Sequence, residues 1–209
     1  MKIALTDIGK KYGKHWIFQN VNAVFETGNC YPVIGSNGSG KSTLIQVISG
    51  FVTPNKGTIN YEMDGTSVAV NEIYEKLVMA APYLELHEEF NVQESIEMHF
   101  QFKKMHAGLT NEDILHKIDL YAHRNKLLGQ LSSGMKQRLK LALAVYSNVP
   151  LLLLDEPCSN LDVRWSDWLN EELSAYAQTR ITLIGSNSQE SELRTANQDA
   201  IDLTSSLYR

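Results

Sequence analysis

Gly35-Ser36-Asn37-Gly38-Ser39-Gly40-Lys41-Ser42-Thr43 fits the pattern G-x-x-x-x-G-K-[ST], in which each residue type has a mechanical task at a phosphate. Glycine carries no Cβ, so the backbone can turn tightly and come close to an anion. The N–H groups of residues 37–42 then converge as a nest, and the N-terminus of the next helix adds its partial positive charge. Lys41 is the mobile point charge for the β- and γ-phosphates, and the Ser42 hydroxyl is the expected Mg²⁺ ligand. The flanks agree with this. Cys30-Tyr31-Pro32-Val33-Ile34 reads as a short buried strand, and Leu44, Ile45, Val47 and Ile48 form an apolar helix face ending near Gly50. The bland alternative, a Gly/Ser surface loop, leaves this strand–loop–helix setting unexplained.

The 209 residues imply one domain, or one domain with a sizeable insertion, long enough to bury a good core. With 43% apolar and 21% charged residues the composition is that of a soluble globular protein. A net charge of −5 favours neither nucleic acid nor an anionic membrane surface. Met1 to Asp7 contains no signal-peptide core, and the apolar run from Leu139 to Leu154 is broken by Lys140, Ser147, Asn148 and Pro150. Cys30 and Cys158 are isolated, which points to a reducing compartment and no disulfide. His15, His87, His99, His106, His116 and His123 lack zinc-site spacing and read as solvated surface residues. The expectation is a compact cytoplasmic α/β protein.

Along the chain, residues 2–8 and 16–25 read as strands joined by a turn-rich segment from Gly9 to Lys14. Tyr12 falls on that connection, where an exposed aromatic ring could stack on adenine or simply pack. Thr58–Tyr61 and Ser67–Val70 bracket Asp64-Gly65, a hairpin signal. Leu77–Ala81 reads as a buried strand stopped by Pro82. From about 92 to 147 the reading is helical, with Thr110-Asn111-Glu112-Asp113 resembling a capping box. Within it, Val92, Ile96 and Phe100 form one apolar stripe and Met98, Phe102 and Met105 another. Pro150–Leu154 is fully apolar, as a strand buried on both faces of a parallel sheet should be. It leads into Asp155-Glu156, acidic residues at the strand end where open α/β sheets bind ligands. Asp155 is placed to hold Mg²⁺ through water, and Glu156 to orient or deprotonate an attacking water. A helix through Trp165, Leu169, Leu173 and Tyr176 follows, then the strand Ile181–Ile184, a loop Gly185-Ser186-Asn187 and a short terminal segment.

Leu131-Ser132-Ser133-Gly134-Met135-Lys136-Gln137-Arg138 resembles the L-S-G-G-Q signature, with its following x-Q-R, of ABC-type ATPases. Ser159-Asn160-Leu161-Asp162 matches the D-loop of the same family, and with the P-loop the motifs stand in the family's order over essentially the whole chain. The resemblance implies an α/β P-loop NTPase core with a mainly parallel sheet, an antiparallel β subdomain on the N-terminal side, and a helical insertion (roughly 85–147) carrying the signature, all in a single domain over 1–209. It implies ATP and Mg²⁺ as cofactors and a head-to-tail dimer, with a second copy or a homologous ATPase subunit. Each nucleotide would lie between one P-loop and the other copy's signature, where Ser132 and Gly134 at a helix start offer an anion site. Tyr12 matches the family's adenine-stacking aromatic. Integral membrane permease subunits are the implied partners, no nucleic acid is expected, and the chain would sit peripherally at the inner face of the cell membrane.

Two departures qualify hydrolysis. Pro82 or Tyr83 stands where the family carries a Mg²⁺-binding glutamine, so water or the Tyr83 hydroxyl would have to substitute. Asn187 stands where the family has a γ-phosphate-contacting histidine; it can donate a hydrogen bond but carries no proton or charge. The signature also has Ser133 for its second glycine and Met135 for its glutamine. The leading expectation is the ATP-hydrolysing subunit of an ABC membrane transporter. A soluble, non-transport ABC ATPase would need a long coiled coil or tandem domains. A nucleotide-gated clamp with little turnover is favoured by Pro82 and Asn187 and opposed by Asp155-Glu156.

Overall fold

The computed structural model describes residues 1–187 and 190–204. β1 (Lys2–Tyr12) and β2 (His15–Glu26) form an antiparallel hairpin. The strands outrun the expected turn: they continue, through register shifts, until only Gly13 and Lys14 connect them. Cation–π contacts cover these exposed strand ends, with the Lys10 ammonium 5.1 Å from the Tyr12 ring centre and Lys11 5.2 Å from that of Trp16. β3 (Cys30–Ile34) runs into the glycine-rich loop and α1 (Lys41–Ile48). β4 (Lys56–Met63) and β5 (Thr66–Val68) close around Asp64-Gly65 as the hairpin signal predicts. The four antiparallel strands are ordered β2-β1-β4-β5.

β6 (Leu77–Ala80) precedes the helical part, which is three helices rather than one continuous stretch: α2 (Val92–Phe102), α3 (Asn111–Lys117) and α4 (Ser133–Val145). Side chains cut it into pieces. Thr110 and Asp113 form the expected capping box at the start of α3, and Asn91 with Glu94 forms a second one at the start of α2. α2 ends where Lys103 turns extended, so Met105 leaves the helix, bridges to Ser147 and packs against the core. The second apolar stripe therefore shrinks to Met98 and Phe102, both exposed.

β7 (Leu151–Asp155), α5 (Val163–Tyr176), β8 (Ile181–Ser186), α6 (Glu190–Leu193) and β9 (Ile201–Asp202) complete the described chain. β8 passes the expected loop start and takes in Gly185 and Ser186, while β9, too short to announce itself, adds parallel to β3. The five parallel strands are ordered β6-β7-β8-β3-β9. Every residue of β7 is buried because both faces are covered: Leu151 and Leu153 join α1 and the antiparallel sheet, Leu152 and Leu154 join α4 and α5. Two histidines depart from the surface expectation. His106 is buried and stacks on Tyr176 at 4.0 Å, and His99 bonds Ser147 at 2.8 Å. Burial pushes both imidazoles down to about 4, so they serve as neutral rings.

The strand order decides where the site lies. β8 runs between β3 and β7, so the glycine-rich loop, Asn187 and Asp155-Glu156 emerge side by side at the carboxyl edge of the sheet. Neighbouring strands are about 4.8 Å apart, so all three fall within reach of one small ligand.

Candidate functional site

A cleft of about 360 Å³ opens at this edge, walled by Ile17, Asn37, Gly40, Lys41, Thr43 and Glu156 among others. Gly40 enters α1 at φ 104°, a left-handed value, and a Cβ there would stand 2.5 Å from Ile17 Cγ2. Lys41 is buried, and its ammonium donates to Gly35 O at 2.9 Å, Ser36 O at 3.2 Å and Asn187 Oδ1 at 2.5 Å. The other end of the same amide, Asn187 Nδ2, donates to Glu156 Oε1 at 3.1 Å. The amide has only one possible sense here, since an ammonium offers no acceptor and a carboxylate no hydrogen. Asn187 thus ties the cation to the acid without a charge of its own.

Asp155 ends β7, one residue before Glu156 of the cleft wall. It is 1% exposed, and its Oδ1 has no hydrogen-bond partner among the described residues. Burial pushes this carboxyl up, the Glu156 charge adds to the rise, and the Ser42 hydroxyl and Lys41 oppose it. Gly185 makes the packing possible, because a Cβ would lie 2.6 Å from Asp155 Oδ1. An orphaned carboxylate oxygen beside a hydroxyl is a hard-oxygen donor set that fits Mg²⁺ held jointly with a ligand phosphate.

Glu156 follows at φ 46°, a left-handed conformation that costs a non-glycine residue about 1–2 kcal/mol. Its N–H donates to Gly185 O at 2.8 Å, and its carbonyl accepts from Ser159 N at 3.1 Å. Pro82 lies in the turn after β6, and the Tyr83 hydroxyl donates to Met79 Sδ at 3.8 Å, bonds to Gln46 and feels the Asp155 charge.

Two sets of candidates stand outside the cleft wall. Ser132 is the N-cap of α4, accepting from Met135 N at 3.3 Å, and is exposed. Its hydroxyl hydrogen and the N–H groups of the first turn remain directed away from the chain's own helix bonds. Gly134 lies against the segment after β7, where a Cβ would meet Asn160 O at 3.2 Å. The far end of α4 is neutralised: the fully buried Arg180 donates to Val145 O at 2.7 Å, and burial lowers its pKa to about 10. Tyr12, at the end of β1, is half exposed with Lys10 over its ring, and the wall on that side is formed by Ile17.

A family model described as "ABC transporter" matches residues 18–159. The chain belongs to the ABC transporter family. It is 33% identical over 172 residues to the spermidine/putrescine import ATP-binding protein PotA of Fusobacterium nucleatum, covering 78% of this chain and 44% of that protein. It is 30% identical over 190 residues to the arginine transport ATP-binding protein ArtM of Bacillus subtilis, covering 87% and 79%. The chain thus spans less than half the length of the first relative. The dimeric structure of the bacterial ABC transporter cassette MJ0796 superposes with a TM-score of 0.79 at 21% identity, over 96% of this chain and 94% of that one. The P-loop α/β fold expected from the sequence is the fold observed.

Against the ABC pattern, the structure also shows residues that the sequence motifs left without a role. Ile17 walls the cleft where attention falls on Tyr12; its only sequence signal is the apolar alternation of β2. Gln137, the glutamine of the x-Q-R after the ABC signature, donates to Pro157 O at 2.7 Å and so ties α4 to the residue after Glu156. Lys140 donates to Ala81 O at 3.0 Å and Lys136 pairs with Glu88 at 2.5 Å, fastening the segment after β6 to the same helix. Arg138 donates to Ile118 O and covers the Trp165 ring at 4.2 Å.

Proposed function

We propose that this chain binds Mg-ATP and hydrolyses it as a subunit of an ABC transporter, working as a dimer that drives separate membrane subunits. In this reading residues 1–209 form one ATPase domain with the helical part inserted. The observation that carries the proposal is the division of the site on one chain. Lys41 and Glu156 wall the cleft, Asn187 is hydrogen-bonded to both and Asp155 precedes Glu156 in the chain, whereas Ser132 and Gly134 sit at the start of α4 and take no part in its wall. A second copy, turned head to tail, supplies the missing donors to the γ-phosphate, and the dimeric likeness supports this.

Gly35 to Thr43 would cradle the phosphates with backbone N–H groups, and Lys41 would exchange the loop carbonyls for phosphate oxygens. Ser42 and Asp155 would hold Mg²⁺, which when bound offsets phosphate charge. Glu156 is the base that takes the proton from the attacking water, and Asn187 holds its carboxylate in place. Tyr12 would contribute one ring face to the adenine. The Tyr83 hydroxyl, within the field of the Asp155 charge, would stand in for the family's glutamine.

No helix among the described residues is long and apolar enough to cross a membrane. An apolar groove of about 250 Å³ between the segment 85–90 and α2, walled by Leu86, Phe90, Met98 and Phe102, is the proposed docking site for the membrane subunit. Phe102 is 77% exposed there. Affinity purification of the chain from detergent-solubilised membranes tests this: a polytopic membrane protein should co-purify, and be lost when Phe102 and Met98 are both changed to Ser. Retention by the double variant would contradict the assigned surface.

A further inference from the structure

Glu192 is a buried carboxyl that the mechanism above does not use. It lies on α6, is 3% exposed, and its Oε1 accepts from Cys158 N at 3.1 Å. The Ser186 hydroxyl bonds to the same carboxyl, and the Asp155 and Glu156 charges are close enough to be felt. Two of these contacts are one step from reacting groups. Cys158 follows Glu156-Pro157 in the tight turn after β7, and Ser186 is the last residue of β8 before Asn187. A buried carboxyl near two further acids is unfavourable unless its hydrogen bonds repay the lost hydration. No cation faces it among the groups that set its titration.

We propose that Glu192 is a positioning residue for hydrolysis: through the Cys158 N–H and the Ser186 hydroxyl it locks the turn carrying Glu156 to the strand end carrying Asn187. The left-handed backbone of Glu156 requires such a lock, because a strained residue persists only where its surroundings over-determine it. Without it, the 3.1 Å bond between Asn187 Nδ2 and Glu156 Oε1 would rest on the strand pairing that ends at Asp155 and Gly185 and on the single Glu156 N–H bond to Gly185 O. The clamp is itself fixed from outside. Asn170 Nδ2 donates to Ser191 O at 2.8 Å and to Ser166 O at 2.7 Å, and Arg194 pairs with Asp167, so α6 is held against α5. The geometry is a carboxyl braced on one side by a helix and presenting its oxygens to two loops on the other.

The inference rests on the assignment of Glu156 as the base. Its test uses the full chain with Glu192→Gln, which keeps an acceptor oxygen, and Glu192→Met, which fills the same volume without one. Three quantities are read: single-turnover hydrolysis, ATP affinity by calorimetry, and hydrogen exchange of the Cys158 amide by NMR. Glu192→Met should lower the rate about 10- to 100-fold while ATP affinity stays within about threefold, since only transition-state positioning is lost. Its Cys158 amide should exchange at least about tenfold faster, and Glu192→Gln should stay within about threefold of the parent on every measure. Should Glu192→Met not fold, Ser186→Ala removes one arm of the clamp and should slow hydrolysis about 3- to 10-fold at unchanged affinity. A parental rate in Glu192→Met, or in Ser186→Ala where that variant is needed, overturns the proposal. So does a Glu192→Gln as slow as Glu192→Met, or a loss of rate matched by loss of affinity. A parental rate in Glu156→Gln would instead overturn the assignment of the base, and the Cys158 exchange rates separate that failure from this one.

Discussion

Replacing Asn187 with alanine removes two hydrogen bonds at once, one from the Lys41 ammonium and one to the Glu156 carboxylate. In the free chain Lys41 keeps the Gly35 and Ser36 carbonyls, so the loss is partial. Hydrogen bonds to charged groups contribute about 1.5–3 kcal/mol each, and with two of three acceptors retained we expect about 1–2 kcal/mol of destabilisation. For a chain of this size that lowers the melting temperature by about 2–8 °C. In the proposed ATP-bound state Lys41 would turn to the phosphates, and the lost amide oxygen would no longer matter to it. ATP affinity should therefore change by less than about threefold. The rate behaves differently, because Glu156 loses the donor that aims it. Removing one preorganised group costs about 10²-fold, near 2.7 kcal/mol of barrier. The assay is single-turnover hydrolysis with the chain in excess over Mg-ATP, alongside calorimetry. Equal rates for the parent and Asn187→Ala would refute the reasoning. So would a fall in rate matched by an equal fall in affinity. Asn187→His gives the complement: it should introduce a titration near pH 6.5 that the neutral amide cannot produce.

Lys41→Ala should abolish ATP binding in calorimetry, since among the described residues no other side-chain cation lines the cleft, and undiminished affinity would remove the phosphate-site assignment. Ser132→Arg should leave nucleotide binding by one chain intact but abolish steady-state turnover by blocking closure of two; a normal rate would take α4 out of the mechanism. His99 and His106 titrate near 4 when folded and near 6.5 when unfolded, so between those values the unfolded chain binds more protons. The stability they confer is complete above about pH 6.5 and is lost as pH falls towards 4, by about 2 kcal/mol each after allowance for partial solvent access. Chemical denaturation at pH 7.5 and 5 should show the drop in the parent, and replacement of both histidines by glutamine should flatten it; an unchanged slope would contradict the burial argument.

Much of this architecture is legible from local pattern. Gly35–Thr43 between an apolar strand and an apolar helix, and Leu151–Leu154 running into Asp155-Glu156, specify two parallel strands of one sheet and the groups at their ends. Thr110 and Asp113 announce the start of α3. What escapes the sequence depends on contacts between distant segments. Asn187 as a bridge requires knowing that β8 runs between β3 and β7. Glu192 reads as one more surface acid until α6 folds it under Cys158, 34 residues earlier. His106 reads as a solvated ring until Tyr176 stacks on it. β9 has two residues and no periodicity to detect. The Gly9–Lys14 segment is rich in turn formers, and cross-strand pairing with 15–21 overrides that preference up to Tyr12.

The central claim is that the P-loop cleft of one chain is completed by the α4 N-terminus of another. Glu156→Gln retains the cleft, removes the proposed base and should trap the closed state. Multi-angle light scattering of Glu156→Gln at saturating Mg-ATP is therefore the most direct measurement. The account predicts a mass twice that of the 23.5 kDa chain, reverting to a single chain with ADP or with Ser132→Arg added. A mass of one chain at saturating Mg-ATP, with ATP bound, would contradict it.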